Sequence, residues 1–480
     1  MSAPTRRHGP QLITYADRLA GDIEGVGRLL DGPLAGAFTG VHLLPFFVPI
    51  DGADAGFDPD DHTAVDPRVG TWADVAALAE RYDVMADLIV NHVSARSTEF
   101  LDWRHHGDAG GTASMFLTPA KVFGRAPTPA EIAAIYRPRP TPPFTSFAFA
   151  DGTTREVWTT FTSEQVDIDV EDELGWGHLI GILDRFAGSG ISTVRLDAVG
   201  YAIKRAGTSC FMIPETFAFI DRLTSACHER SIDVLVEIHG HHRDQIEIAR
   251  RVDWVYDFAL PPLVLDALFT GDARTLKHWI GIRPDNSINV LDTHDGIGVI
   301  DIGQDPRDPS RPGLLRPDRI HDLVEGIHDR SGGSSRAATG SAASNLDLYQ
   351  VNCTFHDALG RDDARTLAAR MMQLMLPGVP QVYYVGLLVG ENDLDLLAAT
   401  GVGRDVNRHR YTPAEVDAAL ERPVVRELLA LLRWRASEPA FLGTFELLPS
   451  ADHEIAVRWS STVSTTTVTV DVRSATFEIR

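Results

Sequence analysis

The stretch Ser192-Thr193-Val194-Arg195-Leu196-Asp197-Ala198-Val199 is a β-branched run that ends in an arginine and an aspartate two residues apart. Residues i and i+2 of a strand point to the same face, so Arg195 and Asp197 leave the strand end side by side. A guanidinium beside a carboxylate favours its ionised form and fixes its rotamer, as a nucleophilic carboxylate requires. A structural ion pair would have the same pattern, so this stretch alone leaves both interpretations open.

Two further apolar runs end in acids at similar places. Val234-Leu235-Val236 leads into Glu237, and Ile288-Asn289-Val290-Leu291 leads through Asp292 to His294-Asp295. Carboxylates that follow three buried strands converge only if the strands are parallel and end on one side. A (β/α)8 barrel has this geometry and carries its catalytic groups at that end. The three acids are therefore interpreted as one site.

The number of strand-like runs supports a barrel. Eight such runs are separated by segments with helical periodicity, and several are nearly continuous Val/Ile/Leu, which is typical of parallel strands covered on both faces. In the segment Trp72 to Arg81, apolar residues recur at helical spacing. The predicted strands are Gln11 to Tyr15, Gly40 to Phe47, Val84 to Asn91, Thr193 to Val199, Val234 to Ile238, Trp254 to Ala259, Ile288 to Leu291 and Gln381 to Tyr384.

Two gaps between these strands are too long for ordinary βα connections. The fold class predicted is α/β, a (β/α)8 TIM barrel with two insertions at the C-terminal face and a small C-terminal antiparallel β domain. The Ser/Gly/Ala-rich segment Ser331 to Ser344, in the second insertion, has the composition of a mobile loop. The predicted domains are the barrel at 1–91, 171–296 and 361–436, an insertion at 92–170 after the third strand, an insertion at 297–360 after the seventh, and the β domain at 437–480.

Composition excludes several function classes. A formal charge of -23 over 480 residues argues against nucleic acid or an anionic membrane as a partner. Three cysteines without metal-ligand spacing indicate neither a disulfide framework nor a metal site. The N-terminal residues lack a signal-peptide h-region, and the longest apolar stretch is too short to span a bilayer. A cytoplasmic location is expected, with no cofactor and no metal.

Four short regions, in order along the chain, resemble the α-amylase superfamily of retaining glycoside-active enzymes, and further segments resemble its sucrose phosphorylase-like subfamily over nearly the whole chain. The four regions are Asp87-Leu88-Ile89-Val90-Asn91-His92, Val194 to Val199, Val236-Glu237-Ile238-His239 and Leu291-Asp292-Thr293-His294-Asp295. The further segments are Gln11 to Leu19, Pro49 to Pro59, the Arg-Pro-Arg-Pro stretch at 137–140, Ala343 to Asn352 and Gly403-Arg404-Asp405-Val406-Asn407-Arg408-His409.

The resemblance implies reversible phosphorolysis of sucrose by double displacement, with Asp197 as nucleophile, Glu237 as general acid/base and Asp295 as transition-state stabiliser. The substrates and products implied are sucrose, inorganic phosphate, glucose 1-phosphate and fructose, and a homodimer is implied. A retaining mechanism needs two carboxyl groups roughly 5 to 5.5 Å apart, one ionised and one protonated. Arg195 marks Asp197 as the ionised one. Glu237, between Val236 and Ile238, is expected to be the protonated one.

The resemblance also assigns a glucose subsite. His92 and His294 would donate to glucosyl hydroxyls, although a histidine at a strand end is often a core residue. Asp51 and Arg404 would grip the far end of the glucose, and a surface salt bridge is the alternative. Phe57 and Tyr201 would offer apolar faces or simply pack in the core. Arg195 is counted with these substrate-binding residues.

On the acceptor side, the resemblance assigns phosphate binding to Arg139 from the first insertion and Tyr349 from the second, beside Gln350. A proline-flanked solvated Arg139 is the alternative. His239, two residues after Glu237, is expected to contact the acceptor too. The loops that carry Arg139 and Tyr349 are expected to shift between half-reactions, because fructose and phosphate occupy overlapping space in turn.

One departure from the subfamily pattern affects the leaving group. Gly240-His241-His242 stands where sucrose phosphorylases tend to carry serine and tyrosines. A zinc site there lacks a third ligand. The alternatives are a phosphorylase of sucrose 6-phosphate, glucosylglycerol or glucosylglycerate, a hydrolase or transglucosidase, or a catalytically silent sugar-binding barrel.

Overall fold

The structure is a computed structural model, and it describes residues 9–52, 54–137, 141–305, 308, 310–341 and 350–480. Eight strands form a closed barrel in which each strand lies beside the next in sequence and the last lies beside the first. They are β1 (Gln11–Thr14), β2 (Gly40–Leu43), β3 (Asp83–Ile89), β4 (Thr193–Asp197), β5 (Asp233–Val236), β6 (Trp254–Asp257), β7 (Ser287–Asn289) and β8 (Val379–Tyr383).

The strand pairing confirms the predicted barrel. β4 pairs in parallel with both β3 and β5, and β8 pairs in parallel with both β7 and β1. The first four residues of β4 are buried, as are residues 84–89 of β3, which explains why these strands are nearly continuous apolar runs. A strand that is covered on both faces has no solvent side on which polar residues would alternate.

Internal contacts divide the described residues into two compact units: a first unit of residues 9–42, 239–341 and 350–480, and a second unit of residues 43–238. The first unit ends in an antiparallel four-stranded sheet, as predicted, formed by β9 (Thr444–Leu448), β10 (Glu454–Ser460), β11 (Thr465–Asp471) and β12 (Thr476–Ile479). The domain boundaries predicted from sequence stay a prediction.

In the second unit, the helix predicted from Trp72 is present as Trp72–Ala79. It begins at a capping box in which the side chains of Thr71 and Asp74 each accept from the other's backbone N–H, and Val75 and Leu78 face the core. The remaining α-helices of this unit are Thr98–His106, Pro119–Phe123, Pro129–Ala134, Glu173–Gly188 and Pro214–His228. Three short antiparallel strand pairs join Phe47–Val48 with Asp61–Val65, His92–Ser94 with Gln165–Asp167, and Phe144–Ala148 with Thr154–Trp158.

The first unit contains most of the helices. They are Ala16–Leu19, Ile23–Asp31, His242–Ile248, Leu260–Thr270, Arg274–Ile280, Pro317–Arg330, Ser334–Ser341, Phe355–Ala358, Asp363–Leu374, Tyr384–Leu387, Leu394–Thr400, Pro413–Leu420 and Pro423–Ser437. A short antiparallel pair joins Ile297–Gly298 with Gln350–Val351. None of the helices in the described ranges of either unit has the length and apolar character needed to cross a lipid bilayer.

The prediction of a mobile loop at Ser331 to Ser344 was wrong for the helix Ser334–Ser341, and residues 342–344 lie outside the described residues. The Oγ of Ser335 lies 2.7 Å from Nδ1 of His328 and 2.8 Å from the Oγ of Ser331, and all three side chains are buried. Ala338 is fully buried as well. Composition predicted a loop because it could not show that these small residues pack against the preceding helix.

Candidate active site

In the second unit, one guanidinium reaches three carboxylates at the C-terminal ends of strands β3, β4 and β5. Nη1 of Arg195 donates to Oδ1 of Asp87 at 2.5 Å and to Oδ1 of Asp197 at 3.0 Å, and Nη2 lies 3.7 Å from Oε1 of Glu237. Arg195 is only 2% exposed, whereas Asp197 and Glu237 keep 15% and 14% of their side chains exposed. The arginine is therefore buried structure, and the two acids remain accessible to a substrate.

The geometry of this cluster follows from the strand register. Arg195 is the direct partner of Asp87 across the β3–β4 pair, and Asp197 lies two residues further on the same face. The chain then leaves the strand through Ala198, which has a φ of +56°. A left-handed non-glycine residue is uncommon, and such conformations cluster at functional sites.

Burial raises the pKa of Asp197 well above its usual range. Arg195 lowers this pKa, whereas the carboxylates of Glu237 and Asp87 raise it further. Only the arginine is visible next to Asp197 in the sequence, and it acts in the opposite direction and is shared with two other acids. Asp197 and Glu237 are thus close enough for their charges to interact, and a retaining mechanism uses two carboxyl groups that lie near each other.

His92 lies in the second unit and is held by two neighbours. Its Nε2 lies 3.0 Å from the backbone oxygen of Phe57 and 3.0 Å from Nε2 of Gln165. Burial lowers its pKa, so the ring is neutral at physiological pH. The ring of Phe57 in turn lies 5.4 Å from the Arg195 guanidinium. These contacts place the predicted glucose-binding residues His92 and Phe57 beside the acid cluster.

Tyr201 belongs to an aromatic cluster of the second unit. Its ring lies 4.7 Å from that of Phe211, 5.1 Å from that of Phe161 and 6.2 Å from that of Tyr136. Phe161 also contacts the ring of His92 at 5.3 Å. This packing agrees with the alternative that Tyr201 is a core residue. A contact between Tyr201 and glucose stays a prediction.

Asp51 has a partner that the sequence analysis did not anticipate. Both of its carboxylate oxygens accept from Arg68, Oδ2 from Nη1 and Oδ1 from Nη2, each at 2.7 Å. Arg68 also donates to the buried Asp66. Asp51 is 57% exposed, so this bidentate pair faces solvent. A role for Asp51 together with Arg404 in binding glucose stays a prediction.

In the first unit, Asp295 is surrounded by cationic groups. Nη1 of Arg404 lies 2.6 Å from its Oδ1, and Nη2 of Arg408 lies 3.9 Å from the same oxygen. Nε2 of His294 lies 3.7 Å from Oδ2. Burial acts to raise the pKa of Asp295, but Arg404, His294 and Arg408 outweigh it and hold this pKa well below its usual range. Asp295 is therefore a permanently ionised carboxylate.

The loop that carries the Gly403-to-His409 motif fixes the backbone around Asp295. Nδ2 of Asn407 donates to the backbone oxygen of Thr293 at 2.8 Å, and Nε of Arg408 donates to that of His294 at 2.9 Å. The side chains of Asn407 and Arg408 are almost fully buried. The motif thus supplies both the charge partner of Asp295 and the clamp that holds its neighbours.

The predicted acceptor residues His239 and Gln350 lie together in the first unit. Nε2 of Gln350 lies 3.2 Å from Nε2 of His239, and Nδ1 of His239 lies 3.1 Å from Oδ2 of Asp301. The imidazole stacks on Phe258, with 4.0 Å between ring centroids and 16° between planes. The structure thus brings together two residues that the sequence separates by 111 positions.

The two histidines that depart from the subfamily pattern have structural roles. His241 caps the helix His242–Ile248, since its Nδ1 accepts from N of Arg243 at 3.3 Å, and its Nε2 lies 3.0 Å from the backbone oxygen of Pro312. His242 is buried beside Trp279, and burial lowers its pKa to about 4. His241 therefore joins this helix to the second insertion, and His242 packs in the core.

Two predicted phosphate-binding residues, Arg139 and Tyr349, lie outside the described residues. Sequence reasoning also missed three residues that hold the site in place. Asp87 and Gln165 contact Arg195 and His92, and Asp301 contacts His239. Asp87 opens the motif Asp87 to His92, and its position directly opposite Arg195 in parallel strands is the signal that identifies it. Gln165 and Asp301 carry no comparable signal.

Comparisons with known proteins agree with this geometry. The family model described as the α-amylase catalytic domain matches residues 10–251. The chain is 56% identical to the sucrose phosphorylase of Agrobacterium vitis, over 95% of this chain and 93% of the relative. The chain belongs to the α-amylase family. Within that family, the second sucrose phosphorylase compared, from Bifidobacterium adolescentis, is 52% identical over 96% of this chain and 92% of the relative.

The same subfamily is represented among solved structures. The crystal structure of sucrose 6F-phosphate phosphorylase from Thermoanaerobacter thermosaccharolyticum superposes with a TM-score of 0.91 at 34% identity, covering 100% of this chain and 96% of that chain. These findings confirm the α-amylase resemblance that the four short regions indicated and the sucrose phosphorylase-like resemblance that the further segments indicated.

Proposed function

We propose that this chain is a sucrose phosphorylase, a glycosyltransferase that converts sucrose and inorganic phosphate reversibly into α-D-glucose 1-phosphate and D-fructose. The observation that carries this proposal is the identity of 56% and 52% to two sucrose phosphorylases along nearly the whole chain. The acid cluster around Arg195 supports it, because it offers two neighbouring carboxyl groups for the proposed nucleophile and acid/base. The ionised Asp295 fits the proposed stabiliser.

The first half-reaction forms a covalent intermediate. The Asp197 carboxylate attacks the anomeric carbon while Glu237 protonates the glycosidic oxygen, and fructose leaves. The oxocarbenium-like transition state is stabilised by the ionised Asp295. The position of Arg195 supports this division of roles, since its guanidinium donates to Asp197 at 3.0 Å and lies 3.7 Å from Glu237.

The second half-reaction transfers the glucosyl group to phosphate. Glu237, now ionised, accepts a proton from dihydrogen phosphate as the oxygen that loses this proton attacks the anomeric carbon and the bond from that carbon to Asp197 breaks. Two inversions give retained configuration, hence α-glucose 1-phosphate. His92 and His294 would bind the glucosyl hydroxyls, while Arg139, Tyr349, Gln350 and His239 would bind the acceptor. Sucrose and phosphate are the partners implied, and assembly as a homodimer stays a prediction from the resemblance.

The deciding experiment supplies sucrose and phosphate and identifies the products by ³¹P and ¹H NMR. Glucose 1-phosphate and fructose in equal amounts are expected from the wild-type chain. Asp197→Asn should reduce this activity by at least about 10³-fold, because the nucleophile is lost. Asp184→Asn, which alters an exposed carboxylate paired with Arg230, should retain it.

The same assay separates the alternatives. Free glucose released at one rate with or without phosphate would identify a hydrolase. Faster phosphorolysis of sucrose 6-phosphate, glucosylglycerol or glucosylglycerate than of sucrose would replace the leaving group in this proposal. Structures of the free and glucosyl-enzyme forms test the expected shift of the loops that carry Arg139 and Tyr349.

A further inference from the structure

Asp301 is a buried carboxylate that lies behind His239. Its side chain is fully buried, and its Oδ1 accepts hydrogen bonds from N of Gly240 at 3.1 Å and from Nε2 of Gln245 at 2.9 Å. Its other oxygen, Oδ2, lies 3.1 Å from Nδ1 of His239. One oxygen thus anchors the carboxylate to the chain, and the other faces the imidazole.

We propose that Asp301 is a positioning residue for glucosyl transfer, which holds His239 with its proton on Nδ1 so that Nε2, which accepts from Gln350 in this structure, presents its lone pair to a hydroxyl group of the acceptor when the acceptor takes the place of the Gln350 amide. The inference rests on the function proposed above and deepens it. It names the chemical feature by which the site selects an acceptor, namely an O–H donor, other than the one at the reacting oxygen, carried by dihydrogen phosphate or fructose.

The tautomer follows from the hydrogen-bonding capacities of the groups. A carboxylate can only accept, so the contact between Oδ2 of Asp301 and the ring requires a proton on Nδ1 of His239. A neutral imidazole has one N–H, which leaves Nε2 as an acceptor. The amide Nε2 of Gln350, which donates, lies 3.2 Å from that atom and fits this assignment.

The surroundings fix the plane of the ring as well as its proton. Phe258 stacks on one face of His239 at 4.0 Å. Gly298 lies against the contact itself, because a Cβ at that position would lie 2.6 Å from Oδ2 of Asp301 and 3.4 Å from Nδ1 of His239. An imidazole held by a carboxylate, an aromatic face and a close backbone cannot turn over to exchange its nitrogens.

This arrangement affects acceptors unequally. Dihydrogen phosphate and fructose extend beyond the reacting oxygen, and each carries a further O–H group that can donate to Nε2 of His239. A water molecule that hydrolyses the glucosyl-enzyme needs only Glu237 as its base and has no second group to bind. Loss of the correct tautomer should therefore reduce transfer to phosphate far more than hydrolysis.

Asp301→Asn reverses the tautomer with little change of shape. The amide Oδ1 can still accept from Gly240 and Gln245, while the amide nitrogen replaces Oδ2 and donates to Nδ1 of His239. The ring proton then moves to Nε2, where it faces the NH₂ group of Gln350. We expect kcat/KM for phosphate to fall by about tenfold or more, because the N–H of His239 then faces the N–H of Gln350 and neither group can accept. The hydrolysis rate should stay within about threefold.

Two controls separate this role from a structural one. Asp305→Asn alters another buried carboxylate of the same segment, which pairs with Arg311 at 2.6 Å, and should leave the ratio of phosphorolysis to hydrolysis unchanged. In a His239→Gln background, Asp301→Asn should produce no further change of that ratio, since Asp301 acts through the imidazole.

The ring itself gives a readout that does not depend on whether Asp301→Asn folds. ¹⁵N NMR of histidine-labelled wild-type protein, with the His239 signals assigned from His239→Gln, reports which nitrogen is protonated. A proton on Nδ1 supports the inference, and a proton on Nε2 overturns it, as does an unchanged acceptor ratio in folded Asp301→Asn. Wild-type protein that releases no glucose 1-phosphate from sucrose would refute the proposed function instead, and the NMR result would still decide the tautomer.

Discussion

Nη1 of Arg404 lies 2.6 Å from Oδ1 of Asp295, and the two side chains are 12% and 11% exposed. A second arginine, Arg408, lies 3.9 Å from the same oxygen and holds the backbone of His294. A carboxylate that faces two guanidiniums keeps its negative charge without help from solvent. The stabilising charge proposed for the transition state is thus preorganised rather than created when the substrate binds.

Arg404→Gln is expected to lower kcat by about 10²-fold, because a preorganised charge partner of Asp295 is removed. Burial acts to raise the pKa of Asp295, and Arg404 is the strongest of the groups that lower it. Its loss therefore raises this pKa, and Asp295 becomes protonated at a higher pH. The acidic limb of the pH profile of kcat should therefore move to higher pH. Steady-state rates measured between about pH 4 and about pH 8 would reveal this shift.

The matched control is Arg410→Gln, which removes an arginine from the same loop region that is 53% exposed and pairs with Asp17. Both kcat and the position of the acidic limb should be unchanged. If Arg404→Gln moved the limb downward, Asp295 would not be the group whose charge Arg404 supports.

Asp87→Asn is expected to shift the acidic limb of kcat/KM in the opposite direction. Burial is the main cause of the raised pKa of Asp197, and the Asp87 carboxylate adds to it. Removing that negative charge lowers the pKa, so the nucleophile stays ionised to a lower pH. The Asn amide oxygen can still accept from Arg195, and the pH–rate profile of the variant against wild type measures the shift.

For Asp87→Asn, the comparison is Asp83→Asn, at the first residue of β3. Its profile should match that of wild type. An upward shift in Asp87→Asn would mean that Asp87 acts mainly by orienting Arg195, so that losing it weakens the stabilisation of ionised Asp197.

Lys204 is a buried cation that joins the end of β3 to the first predicted insertion. Its Nζ lies 2.8 Å from Oδ2 of Asp167 and 2.8 Å from Oδ1 of Asn91, and it also donates to the backbone oxygen of Tyr201. Its side chain is 1% exposed. Lys204→Met should lower the free energy of unfolding by about 3–5 kcal/mol, because Asp167 is left as an uncompensated buried charge.

Urea denaturation of Lys204→Met would measure this loss. Lys121→Met breaks a pair with Asp169 of almost the same length, 2.7 Å, at a site that is 34% exposed, and should cost no more than about 1 kcal/mol. Equal losses in the two variants would show that burial does not set the strength of the Lys204 contacts.

The sequence predicted the barrel because each strand is indicated by a run of neighbouring residues. Predicted strands such as Val84 to Asn91 are nearly continuous apolar runs, and several of them lead into a polar residue that is predicted to function at the strand end. The partners of those polar residues are not local. Arg68 for Asp51 and Asp301 for His239 depend on how separate segments pack, and no pattern around Asp51 or His239 indicates them.

The electrostatic state of Asp197 escaped prediction for a related reason. An adjacent arginine is visible in the sequence, but burial and the neighbouring carboxylates exist only after folding, and they outweigh it. In the same way, His241 and His242 stood out as a difference in the acceptor region. In the folded protein, His241 caps a helix and His242 packs in the core.

Gly298→Ala should change acceptor selectivity without touching the substrate. The added methyl group would lie 2.6 Å from Oδ2 of Asp301, which cannot retreat because Gly240 and Gln245 hold its other oxygen, so the contact with His239 must open. We expect the ratio of glucose 1-phosphate to glucose formed from sucrose and phosphate to fall by about tenfold, as for a lost buried hydrogen bond. Gly303→Ala is the control, since its nearest neighbours are 3.5 Å away. A ratio that fell equally in both variants would mean that the segment tolerates no methyl group at either position. It would contradict the inference that the contact between Asp301 and His239 controls acceptor selectivity.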